Sequence, residues 1–166
     1  MPKLLLILAA LVIAISARAQ STDSAVVKKS PLKTITDEEY TALLNGADLY
    51  HMSLAAELNH YPSPVKALKY KKEINLTTEQ EAKLKPIVKE LRRKILEMGL
   101  IVIRNERTLD SIFKYNRVDN GSLIYYANRY GLYQGELRNT ILQSCLVTKG
   151  ILTAQQVRKI ELIEKR

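Results

Sequence analysis

Leu76-Thr77-Thr78-Glu79-Gln80 opens a run of charged and apolar residues that continues to about Tyr115. Thr77 stands where a helix N-cap belongs, and Gln80 follows three residues later. This is a capping box: the Thr hydroxyl accepts from the Gln80 backbone N–H, and the Gln side chain accepts from the Thr77 N–H. Leu84, Ile87, Val88, Leu91, Ile95, Met98, Val102, Leu109, Ile112 and Phe113 then recur at helical spacing. The same pattern returns as Leu152-Thr153-Ala154-Gln155-Gln156 near the C-terminus. One capping box is common, whereas two led by Leu and separated by helical sequence form a more specific signal.

The 166 residues make one domain by length. Met1-Pro2-Lys3, an apolar run over residues 4–15 and Ser16-Ala17-Arg18-Ala19 read as a secretory signal peptide over residues 1–19. The apolar run is short for a transmembrane helix, and no Cys follows the cleavage site to carry a lipid. The expected mature chain is periplasmic, with no stable membrane anchor. Loss of Lys3 and Arg18 leaves 24 Lys+Arg against 17 Asp+Glu, a net charge of +7. Export argues against nucleic acid as the partner. The basic excess then suits acidic polypeptides or anionic surfaces, or else a solvated face that aids solubility. Cys145 is the single cysteine, so no intramolecular disulfide forms.

Residues 20–33 are polar and aperiodic and read as a disordered arm, with the helical domain over residues 34–166. Thr36-Asp37-Glu38-Glu39 is a further capping box, opening a short helix through Leu44 that Asn45-Gly46 ends. A second helical segment is expected over residues 48–58 and a short basic one over residues 65–72, opened by Pro64. The long segment over residues 78–115 would span roughly 55 Å as one helix. Pro86 predicts a kink within it, and Gly99 a second soft point. Asp119 or Asn120 caps the next helix, expected over residues 122–148 and ended by Lys149-Gly150. Thr153 starts the last. No stretch reads as a strand. The expected fold is all-α: two long antiparallel helices with short helices packed at their ends.

The two Leu-Thr-x-x-Gln motifs on such helices resemble those of the bacterial periplasmic stress proteins that include Spy and CpxP. The matching residues are Leu76, Thr77 and Gln80, then Leu152, Thr153 and Gln156. The likeness runs from about Thr36 to Ile163. Residues 56–64, 106–113 and 135–138 look like a subgroup often labelled periplasmic heavy-metal sensors. The resemblance implies a thin, curved helical cradle, usually a homodimer, that holds unfolded or partly folded clients without ATP or any cofactor. It also implies a place in the envelope stress response. Members of the subgroup commonly carry two histidines where Ile141 and Cys145 stand here.

His51 and His60 are the only histidines. With Cys145, and with Glu57 or Met52, they are the weak metal candidates, since no tight ligand cluster with zinc spacing occurs. Surface, turn and buried roles for the three are the simpler reading. Glu106 and Asp110 form an i, i+4 carboxylate pair flanked by Arg104 and Arg107. A solvated face explains them more simply than acid–base work does. No nucleophile–His–acid set, phosphate loop or Cys-x-x-Cys is present, so an enzyme is not expected. Lys89, Arg92 and Arg93, interleaved with Leu96 and Met98, are the candidate client-binding residues. Leu100-Ile101-Val102-Ile103 makes the long helix apolar nearly all round. Either the short N-terminal helices cover this run, or a dimer partner or client does. The expected function is an exported ATP-independent chaperone-like protein that binds unfolded or stress-damaged envelope proteins. The alternative is a metal-binding sensor of heavy-metal resistance, or a regulatory partner of a stress-signalling system.

Overall fold

The computed structural model describes residues 27–48 and 50–165. The signal peptide expected over residues 1–19 lies outside them. Six helices follow in order: α1 Asp37–Asn45, α2 Leu54–Glu57, α3 Pro64–Lys69, α4 Thr78–Lys114, α5 Asn120–Ile151 and α6 Ala154–Glu164. No strand occurs among the described residues. The expected all-α class, with two long helices and shorter flanking ones, is therefore the observed one.

Local chemistry sets most boundaries. Thr36, Thr77, Asp119 and Thr153 each cap a helix through a reciprocal box, with Glu39, Gln80, Ser122 and Gln156 as partners. Gly46 ends α1 at φ 65°, a left-handed conformation that glycine adopts without a Cβ penalty. Pro64 opens α3 at its first turn, where its missing N–H costs nothing. α4 runs unbroken through Pro86. Pro86 and Ala82 are both exposed, so water can reach the carbonyl that the proline leaves without a donor.

Three boundaries differ from expectation. The basic helix expected over residues 65–72 ends at Lys69. Over residues 48–58 only α2 is helical. The Asp48 carboxylate accepts from the backbone N–H groups of Met52 (2.8 Å) and Ser53 (3.1 Å), and His51 has φ 49°. Those bonds satisfy the chain as a turn in place of a helix start. At the other long helix, Lys149-Gly150 does not end α5, which continues to Ile151. Part of the arm expected over residues 20–33 is described, and it lies on α1. The Lys28 N–H donates to Thr41 Oγ1 (2.7 Å), the Ser30 N–H donates to Asp37 Oδ1 (2.7 Å), and Leu32 is buried.

α4 and α5 lie side by side and run in opposite directions. Gln80, at the start of α4, donates to the Ile151 carbonyl at the end of α5 (2.8 Å), and Asn105 Nδ2 donates to the Tyr126 carbonyl (3.1 Å). The core forms three layers along this pair. The first holds Ala67, Ile74, Leu84, Leu152, Val157 and Ile160. Leu91 and Ile95 meet Leu137 and Ile141 in the second. In the third, Leu32, Ile35 and Leu43 cover Val102 and Ile103, with Tyr133 against them. The N-terminal segment thus covers much of the apolar run 100–103, and Leu100 stays exposed. Beyond the third layer the long pair has little cover. Phe113, Tyr115, Ile124 and Tyr125 are each about half exposed.

Gly99 is a crossing point. A Cβ on it would lie 2.6 Å from the Leu43 carbonyl oxygen of α1, so only glycine admits this approach. The short helices are also fastened to α6 by charge. Lys66 bridges Glu57 (3.0 Å) and Glu164 (2.6 Å), and His60 Nδ1 lies 2.7 Å from Glu161 Oε1.

Candidate polypeptide-binding groove

Lys85, Val88, Lys89, Arg92 and Leu96 recur at steps of three and four, so they form one stripe along α4. α3 lies beside that stripe because Ala67 is fully buried against Leu84 and Ile74. This places Leu68, one residue on, at the edge of the stripe. The result is an open groove of about 570 Å³ between Leu68 and the α4 face, which Arg93 also lines. Leu68, Val88 and Leu96 are half-buried and give it an apolar floor, while Lys89 and Arg92 are exposed.

The charges are not equivalent. The Arg93 guanidinium is held by Glu90 (2.7 and 2.9 Å) and Glu97 (2.9 Å). Arg93, beside Glu90, holds the Glu90 carboxyl below the usual carboxylate range. Lys85 pairs with Glu81 at 2.9 Å. Lys89 and Arg92 make no ion pair among the described residues. They are the two cations of the groove left to meet an external anion.

Four of the five expected client residues, Lys89, Arg92, Arg93 and Leu96, come together here. Met98 does not. It packs on the second core layer with Leu91 and Ile95, on the side of α4 that α5 covers. Leu68, Val88 and Lys85 are groove residues that the basic cluster alone did not single out. For Lys85 and Val88 the helical period was the available signal.

The metal candidates lie apart. His51 sits in the exposed turn before α2, and His60 faces Glu161. Cys145 is fully buried, and desolvation pushes its thiol up to about 11. No group of three His, Cys, Asp or Glu residues able to hold a metal occurs among the described residues. Ile141, like Cys145, points into the core, so the side chains at both positions are occupied with packing. Of the carboxylate pair on α4, Asp110 is exposed, and Glu106 lines a separate cleft under α1.

The six motif residues are structural. Thr77 and Thr153 cap their helices, Leu76 and Leu152 pack in the first core layer, and Gln80 and Gln156 complete the boxes. No helix among the described residues is long and apolar enough to cross a membrane. Compared with known proteins, the chain matches no family model, no curated protein and no solved structure.

Proposed function

We propose that this protein is an exported, ATP-independent, chaperone-like protein of the Spy/CpxP type, holding unfolded or stress-damaged envelope polypeptides in the groove between α3 and α4. The observation that carries the reading is the pair of cations without an ion-pair partner among the described residues, Lys89 and Arg92, set over the half-buried Leu68, Val88 and Leu96. An acidic or flexible chain is drawn by charge and then held by weak apolar contacts beside the attracting groups. The reading includes a curved two-helix cradle and a homodimer. Dimer formation is checked by analytical ultracentrifugation.

The test is suppression of aggregation of an unrelated unfolding protein, followed by light scattering with and without zinc or copper. Client association is followed in parallel by stopped-flow fluorescence at low and high salt. Replacing Lys89 and Arg92 with Glu is expected to slow association about tenfold at low salt, and added salt to slow the parent, because exposed charges are screened over roughly 8–10 Å. Arg93→Glu is expected to do less, because its charge is already met by Glu90 and Glu97. Unchanged rates in the double variant would remove the groove from the client path. Protection that appears only with added metal would favour the sensor reading.

A further inference from the structure

The segment before α1 and the helices α1, α4 and α5 enclose a cleft of about 310 Å³. Its volume is at the lower end of sites that hold small organic ligands, about 300–1,000 Å³. Its polar lining is Thr34, Glu39, Tyr50, Glu106, Tyr126, Tyr130 and Gln134, and no Lys, Arg or His lines it. That is unexpected in a chain with net charge +9. Neither carboxylate has an ion-pair partner among the described residues. Arg129 does not compensate them, because its guanidinium donates to the Tyr125 and Tyr133 hydroxyls, with its charge centre 5.0 and 5.3 Å from the two rings.

Thr34 already bonds Glu106, and the carboxylates and the Gln134 carbonyl leave acceptor capacity over in the cleft. Glu39 already accepts from the Tyr50 hydroxyl and from the Thr36 N–H (2.9 Å). The Gln134 amide donates to the Tyr130 hydroxyl (3.3 Å), while its Oε1 is buried with no donor. Asn105, next to Glu106 in sequence but not on the cleft wall, is only 5% exposed and has an Oδ1 without a donor; its Nδ2 donates to the Tyr126 carbonyl, and its side chain also bonds the Glu106 carboxyl. Buried acceptors of this kind ordinarily find partners. Burial pushes the Glu106 carboxyl above its ordinary range, and the nearby Glu39 charge adds to this, against hydrogen bonds with Asn105 and Thr34 that act the other way.

We infer that this cleft is a binding site for an alkylammonium group, taken between Glu39 and Glu106 and against the rings of Tyr50, Tyr126 and Tyr130. An ammonium carries three donors and no acceptor, which is the complement of what the walls leave unmet. Tyrosine faces add cation–π attraction. Tyr50 and Tyr130 are 48% and 37% exposed, so the ligand has an open way in. The site is separate from the groove on α4 and stands whether or not the groove holds clients.

Two sources share this chemistry, a free small amine and a lysine side chain of a polypeptide. The experiment is titration calorimetry with n-butylammonium, with n-butanol as the neutral match, on the parent and on Glu106→Gln, Glu39→Gln and Tyr130→Leu. Circular dichroism checks that each variant is folded. Saturable binding of butylammonium is expected, at least tenfold tighter than butanol. About tenfold or greater weakening is expected in Glu106→Gln, and none in Arg93→Glu. An unfolded lysine-containing polypeptide that displaces butylammonium, and loses that ability on acetylation, assigns the site to client lysines. Displacement by small amines alone assigns it to free amines. Failure of butylammonium to bind, equal binding of butanol, or undiminished binding in folded Glu106→Gln and Glu39→Gln overturns the inference.

Discussion

Gln80 and Gln156 hold each other's side-chain amides through two reciprocal hydrogen bonds of 2.9 and 2.8 Å, so the two Leu-Thr-x-x-Gln motifs meet face to face. Each glutamine does two jobs with one amide. Its oxygen accepts from the N-cap backbone of its own helix, Thr77 at 3.1 Å and Thr153 at 2.9 Å. Its nitrogen donates across to the other motif. Gln80→Ala or Gln156→Ala is expected to cost about 1–2 kcal/mol, the loss of a cap contact plus a part-buried hydrogen bond. The double variant should cost less than the sum, because the second change has no partner left to lose. Urea unfolding of the two singles and the double measures this coupling. Additive losses would mean that the two amides do not act as a pair.

Gly99 and Gly150 are expected to answer alanine with opposite signs. Both lie inside long helices, where Ala is favoured over Gly by about 1 kcal/mol. At Gly150 nothing lies within 4 Å of the added Cβ, so Gly150→Ala should stabilise by about 0.5–1 kcal/mol. At Gly99 the Cβ would meet the Leu43 carbonyl at 2.6 Å, and α1 must shift. Overpacking of this kind costs about 1–3 kcal/mol, enough to outweigh the helix preference. Thermal melts of the two variants beside the parent decide it.

Two carboxylates should give stability opposite dependences on pH. Hydrogen bonds from Lys66 and then Tyr70 hold the Glu164 carboxyl below its ordinary 4.5. Its contribution is therefore present above that value and lost as pH falls through the lower folded value. Burial raises Glu106 above 4.5, so its protonated form favours the fold. That contribution is full below 4.5 and is lost as pH rises through the raised value. Glu106→Gln is thus expected to match the parent at low pH and melt higher at neutral pH. Glu164→Gln should melt lower at neutral pH and converge with the parent in acid. Melting curves over pH 3 to 8 (a range set by ordinary carboxylate titration) test both signs.

Cys145 should behave as a reporter of global unfolding. Its thiol is fully buried and raised to about 11. At pH 8 the thiolate is scarce by about two orders of magnitude relative to a free cysteine, before any steric protection. Labelling with a thiol reagent is expected to be slow in the folded protein and to accelerate with urea along the unfolding curve. Rapid labelling in the absence of denaturant would contradict the buried position.

The helices were legible where local chemistry fixes them. Thr36, Thr77 and Thr153 each satisfy orphan N–H groups within three residues, so their caps can be read from the chain alone. The turn at Asp48 was not, because a side chain that caps N–H groups four and five residues on competes with the helix suggested by the apolar spacing. Gly99 read as a weak point in α4, since nothing in its own helix reveals that α1 crosses there. Met98 illustrates the same limit for the groove. Periodicity shows which residues share a face, but only the placement of α5 decides which face is core. The amine cleft was least legible. Glu39, Glu106 and Tyr130 come from three helices, and their convergence depends on tertiary packing.

The bare far end of α4 and α5 has a consequence for motion. Amides near Gln80 and Leu152 lie beside a packed layer and joined caps, and they should exchange with solvent only through global unfolding. Those near Phe113 and Leu123 have no such layer and should exchange through local fraying. Glu106 and Tyr126 stand between these two regimes. Fraying at the far turn is therefore expected to widen their cleft while the motif end stays shut, and an occupant bridging α1 to the long pair would be read as slowed exchange several turns away from itself.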